Sequence, residues 1–282
     1  MTRRTLLAGL AAAPRRPIGI GFTLYAMKSL GVVEALGACA EIGYDGVELC
    51  LLDGYPRVEP REVKAALKQH RLGVAGMMDL FSLLASDEAQ RVQLERIRRA
   101  AELARQLGVN PVLETVLGGR PAEWEAVRGK MAERLREWAR VAEAARITIA
   151  IKAHVGGAVH LPEHVLWLLE QAPSPRIRAA YDYSHFQLAG LGLGESLEAL
   201  IRQTAFIHVK DGRGVPAKFE FLLPGEGTID YVDYFRRLRA LRYRGMVVVE
   251  VSAQIHRRPE YDPVAAARQS YRVLATAMEK AA

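Results

Sequence analysis

The chain has 282 residues, 50% hydrophobic and 25% charged, which is the make-up of a globular protein with a full-sized core and excludes disordered and collagen-like classes. No run of about 18 apolar residues occurs, so no segment reads as a membrane span. The net charge of +7 comes from 39 Lys plus Arg against 32 Asp plus Glu. Arg3, Arg4, Arg15 and Arg16 fall in an acid-free N-terminal stretch, and charges of both signs mix along 91–105 and 133–146 as on solvated helix faces. No basic run is interleaved with aromatics, so nucleic-acid binding is not expected.

Residues 1–16 stand apart. Paired arginines, a short apolar stretch and small residues through Ala13 resemble a twin-arginine export signal, although Pro14 follows directly where cleavage would be expected. Two expectations stay open: a periplasmic protein with an export signal, or a cytoplasmic one with a basic extension. Two cysteines, Cys39 and Cys50, do not make a disulfide framework.

From residue 17 onward, short β-branched or apolar runs alternate with longer amphipathic segments. Strands are expected at 18–23, 46–51, 73–78, 111–114, 147–152, 178–181, 205–210 and 246–251. Helices are expected near 28–42, 60–71, 87–107, 121–145, 163–172, 194–203, 230–242 and 264–279. Gly43, Gly108 and Gly245 stand between a helical pattern and the next strand, as C-terminal caps would. Strict alternation of eight strands with eight helices predicts parallel strands joined by crossover helices, closed into a single-domain (β/α)8 barrel over 17–282. The glycine-rich dinucleotide fingerprint is absent after the first strand.

Barrel active sites are built at the C-terminal ends of the strands. The polar residues there are Glu48, Glu114, Lys152, His154, Asp182, His185, His208, Lys210, Asp211, Arg213 and Glu250. Asp182, His208 and Glu250 end three successive strands and form a carboxylate–imidazole–carboxylate set. That set suits Mn²⁺, Mg²⁺, Co²⁺ or Zn²⁺, with no thiolate to select a soft metal. Met77, Met78 and Phe81 at the third strand end read better as core than as a pocket wall. Leu223-Pro224-Gly225-Glu226-Gly227 is turn chemistry before the helix at 230–242.

Five segments in fixed order resemble the xylose-isomerase-like barrel superfamily of sugar and sugar-phosphate isomerases and epimerases: Gly43–Glu48, Asp182–His185, His208–Asp211, Leu223–Gly227 and Gly245–Glu250. The resemblance implies carbohydrate metabolism, a small sugar, keto-sugar or polyol as substrate, and pairing into a homodimer. It makes Asp182, His208 and Glu250 metal ligands, and places His185 and Arg213 on the substrate, with Glu48 and Glu114 lining the pocket. His154 and Lys210 join the substrate-binding candidates, and Glu250, Lys152 and His185 are the candidate catalytic groups.

Lys152 departs from that pattern, because the family's metal-dependent epimerases carry a Glu there, both ligand and one of two acid–base carboxylates. Three readings follow. The ammonium replaces the metal; or a metal stays on three ligands while Lys152 acts as a base beside it; or His154 turns inward as a ligand. The leading function is proton abstraction next to a carbonyl in a sugar isomerase or epimerase. The alternative is a sugar-binding barrel that has lost the metal reaction. A keto-sugar lyase or dehydratase is a further reading. An apurinic endonuclease would need histidines where Met78 and Glu114 stand.

Overall fold

A computed structural model describes residues 17–282. The N-terminal extension, with its candidate export signal, lies outside these residues. Eight parallel strands close into a barrel: β1 Ile18–Thr23, β2 Gly46–Cys50, β3 Gly73–Met78, β4 Val112–Thr115, β5 Thr148–Lys152, β6 Ile177–Asp182, β7 Thr204–Val209 and, last in the chain, β10 Gly245–Val249. β10 pairs with both β1 and β7 and completes the ring.

The eight expected helices all form, as α1 Val32–Ile42, α2 Pro60–His70, α3 Asp87–Leu107, α4 Trp124–Ala145, α5 Pro162–Gln171, α7 Leu193–Leu200, α8 Tyr231–Ala240 and α10 Pro263–Lys280. Their starts have local causes. The Ser86 side chain accepts the Ala89 N–H at the head of α3, Asp230 accepts from Val232 and Asp233 at α8, and Pro60, Pro162 and Pro263 occupy first-turn positions. Gly43 and Gly108 end α1 and α3 in the left-handed region, as their placement predicts. The expected glycine cap after α8 differs: Arg242 takes the positive φ and Gly245 opens β10.

Two features were not anticipated. An antiparallel hairpin, β8 Asp211–Val215 with β9 Lys218–Leu222, leaves the barrel after β7. A short helix α6 Tyr183–Leu188 follows β6 directly, and another, α9 Ala253–His256, begins soon after β10. Cys39 and Cys50 are buried free thiols.

The main core lies between barrel and helices; a second, small cluster fills the barrel itself. There Ala150, Ala180, Phe206 and Val248 pack together, each on a different strand. Side chains two residues apart share a face of a strand. The same inward face therefore delivers Lys152, Asp182, His208 and Glu250 one layer higher, at the mouth. Gly76 makes room for the single large residue in that layer, since a Cβ there would lie 2.7 Å from the Phe206 ring. Phe206 in turn sits edge-on beneath His208, with ring centroids 4.7 Å apart.

Candidate active site

The four strand ends meet as the parity argument requires. Asp182, His208 and Glu250 offer one ligand-type atom each within 4.8 Å of one another. His208 is clamped on both sides. Its Nε2 lies 3.0 Å from Glu48 Oε2, and its Nδ1 lies 3.1 Å from Lys152 Nζ. An ammonium can only donate, so in the neutral ring Nδ1 is the acceptor and the proton sits on Nε2, facing Glu48, which raises the His208 pKa against the effect of burial. A register shift of β2 against β3 next to Glu48 accompanies its turn into the barrel, where it is fully buried beneath the pocket rather than lining it.

Two lysines, not one, enter this cluster. Lys152 Nζ donates to Glu250 Oε2 at 3.1 Å and pairs with Glu114 Oε1 at 3.0 Å. Lys210 Nζ donates to Asp182 Oδ2 and, at 2.7 Å, to the same Glu250 Oε2. Asp182 Oδ1 is taken by the Ser184 hydroxyl and N–H at 2.7 and 3.2 Å. Lys210 was expected to contact substrate only. It follows His208 by two residues, so strand parity was the available signal that it would join the cluster.

The electrostatics follow from burial and pairing. Burial alone would push Glu250 up, but the Lys152 and Lys210 ammoniums hold it well below the usual carboxylate range. Burial alone would lower Lys152, but Glu114, Glu250 and Asp182 hold it above its ordinary value, so it stays charged. Glu114 is raised, because burial outweighs its neighbour Lys152. His185 is held well below its usual value by burial and by Lys210. Its Nδ1 accepts the Val155 N–H at 3.2 Å, so the neutral ring carries its proton on Nε2, toward Asp182 Oδ2 at 3.5 Å. His154 is lowered to about 4 by burial and Lys210. Its ring lies against His185 with centroids 4.3 Å apart, and its Nδ1 accepts the Gly156 N–H. It has not turned in as a ligand.

Above the cluster opens a cleft of about 360 Å³. Lys152, Lys210, Glu250, Glu114 and His185 line its base, with Tyr25, Met78 and Phe221 on its walls. Met77 and Phe81 are core, as expected, while Met78 lines the pocket. Two glycine pairs, Gly118–Gly119 and Gly156–Gly157, form one side. Gly118 and Gly119 both take positive φ, and a Cβ on either would strike Ser82 or Ala158. These wall residues went unnoticed in the sequence.

Arg213 is not brought to the site. The hairpin carries it into solvent, where it pairs with its cross-strand neighbour Glu220, and it does not line the cleft. The Leu223–Gly227 turn is likewise outside. Its Gly225 and Gly227 N–H groups are held by the Asp211 carboxylate at 2.7 and 3.1 Å. A larger cleft of about 530 Å³ lies beside the β2–α2 connection, but Arg96, Asp53 and Asp79 there already satisfy one another.

The spacing of Asp182, His208 and Glu250 suits a divalent cation, but their hydrogen bonding does not. Both Asp182 oxygens, His208 Nδ1 and Glu250 Oε2 are engaged, three of these four atoms by ammonium groups. As arranged, the residues do not fit a metal.

A family model described as xylose isomerase-like TIM barrel matches residues 36–277. The chain belongs to this family. It is 24% identical over 273 residues to an inosose dehydratase of Geobacillus kaustophilus, covering 86% of this chain and 84% of the relative. It is 26% identical over 266 residues to SgbU of Escherichia coli K12, provisionally named an L-ribulose-5-phosphate 3-epimerase, covering 86% and 91%. Among solved structures, the IolI protein with a bound zinc atom superposes with a TM-score of 0.77 at 18% identity, covering 94% of this chain and 99% of that one. Among the described residues no helix is long and apolar enough to cross a membrane.

Proposed function

We propose that this barrel is an enzyme that removes a proton from the carbon next to a carbonyl in a small sugar, keto-sugar or cyclic polyol ketone. The observation that carries the reading is Glu250. It is a pocket-lining carboxylate held in its proton-accepting form by two buried ammoniums at the base of a monosaccharide-sized cleft. A positioned base of this kind contributes about 10²–10⁴-fold to rate. Lys152 and Lys210 supply positive charge where the enolate oxygen forms. Neutral His185 donates from Nε2, and Glu48 holds His208 in register.

The first half-reaction is common to epimerisation and dehydration. The C–H bond breaks, the proton goes to Glu250, and the electron pair moves onto the carbonyl oxygen. Returning a proton to the opposite face gives an epimer; expelling a neighbouring hydroxyl gives a dehydrated product. Dehydration is the second reading, and Glu114 favours it. Burial raises its pKa, neither of its oxygens has a hydrogen-bond partner, and it lines the cleft where a departing hydroxyl would need a proton. The names of the two relatives, a dehydratase and an epimerase, sit on either side of that branch.

The test is proton NMR in deuterated water with a panel of keto-hexoses, keto-pentoses and inososes. Deuterium should enter the carbon beside the carbonyl, and Glu250→Gln, checked for folding by circular dichroism, should abolish the exchange. Binding without exchange across the panel would instead identify a sugar-binding barrel without catalysis.

A further inference from the structure

The notable feature is how the hydrogens of the two ammoniums are spent. Lys152 Nζ donates to Glu250 Oε2 and His208 Nδ1, both at 3.1 Å, and stands 3.0 Å from Glu114 Oε1 as an ion pair without hydrogen-bonding geometry. Lys210 Nζ commits two, to Asp182 and Glu250. Its third polar neighbour, His185 Nε2 at 3.2 Å, carries a proton of its own, because His185 Nδ1 accepts from Val155. One Lys210 hydrogen is therefore uncommitted, on a residue that lines the cleft. Phe221, whose ring centroid lies 4.7 Å from Nζ, walls off its other side.

We infer that Lys152 and Lys210 together do the work of a divalent cation at Asp182, His208 and Glu250, so that the protein is metal-independent. The charges match: two ammoniums supply the two positive charges a divalent ion would bring to the same three side chains. The roles divide. Lys152, enclosed by Glu250, Glu114 and His208, neutralises and positions them. Lys210, with a free N–H, binds a ligand hydroxyl or carbonyl oxygen. A metal could enter only by displacing both ammoniums from Asp182, His208 and Glu250, leaving two buried cations beside a dication. That this ligand is the substrate rests on the function proposed above; the replacement of a metal by two ammoniums does not.

The experiment measures metal on the natural protein, by inductively coupled plasma mass spectrometry after purification and by calorimetric titration with Mn²⁺ and Zn²⁺. The expected result is no near-stoichiometric metal and no saturable binding. Lys152→Glu with Lys210→Met should then gain saturable Mn²⁺ binding that the parent lacks. Lys152→Glu alone should bind more weakly than the double variant, because Lys210 still holds Asp182 and Glu250. Near-stoichiometric metal in the natural protein, or saturable binding that Asp182→Asn removes, overturns the inference. So does a folded double variant that takes up no metal. If the double variant does not fold, the natural protein alone decides. Absence of sugar turnover would refute the proposed function and leave this measurement standing. A metal-loaded protein that exchanges deuterium would refute only the inference here.

Discussion

Lys152 and Lys210 donate to the same oxygen, Glu250 Oε2, from the ends of two different strands, at 3.1 and 2.7 Å. One carboxylate oxygen thus ties β5, β7 and β10 together at the barrel mouth. Glu250 is left ionised, and Lys210 is left with a hydrogen to offer.

Breaking that arrangement at Lys152 should be costly. Lys152→Met leaves Glu114 and Glu250 without a shared cation, and loss of one partner from a buried pair costs about 3–5 kcal/mol. Adding Glu114→Gln should recover part of the loss, with a coupling of about 0.5–3 kcal/mol in a urea-denaturation cycle. Additive losses would show that the two side chains do not interact.

The outward turn of Arg213 predicts selectivity. Among the described residues no arginine lines the cleft, so nothing there offers the forked contact that suits a phosphate ester. An unphosphorylated keto-sugar should show the higher kcat/KM than its phosphate. Arg213→Ala should leave KM unchanged and alter stability by less than about 1 kcal/mol, since its pair with Glu220 is exposed. A raised KM in Arg213→Ala would place the hairpin over the substrate.

His164 gives a pH dependence away from the site. It stacks on Trp124 with centroids 4.2 Å apart, and burial lowers its pKa to about 4. The unfolded chain takes up that proton first, near the ordinary value of about 6.5. Stability should therefore be level above about 6.5 and decline as pH falls toward 4. Thermal melts of the parent and of His164→Gln across this range check it; the variant should show the shallower slope.

Arg71, Arg146 and Arg242 follow helices α2, α4 and α8 with positive φ, a conformation that costs a residue bearing a Cβ about 1 kcal/mol. All three are exposed. Arg146→Gly should raise stability by up to that amount, read as a higher denaturation midpoint with an unchanged slope.

Gly76→Ala should do the reverse. Its Cβ would meet the Phe206 ring at 2.7 Å and Glu48 Oε1 at 3.3 Å, and overpacking of this kind costs about 1–3 kcal/mol. Because Phe206 supports His208, activity should fall as well.

The architecture and most of the cluster are legible in the residue pattern. Alternation of short apolar runs with amphipathic segments prescribes a closed parallel barrel, since those runs must be buried on both faces. The two-residue period of a strand then aims Lys152, Asp182, His208 and Glu250 inward above Ala150, Ala180, Phe206 and Val248. That period is local and legible. Which hydrogen bonds those side chains share depends on contacts between strands. Lys210 proved to be a second cation because Nζ, at the end of a long flexible stem, found Asp182 and Glu250 on other strands. Arg213, three residues later, was carried away because the chain turns there into a hairpin whose cross-strand partner is an acid. Local periodicity gives the face a residue occupies; contacts between residues far apart in the chain give the partner it meets.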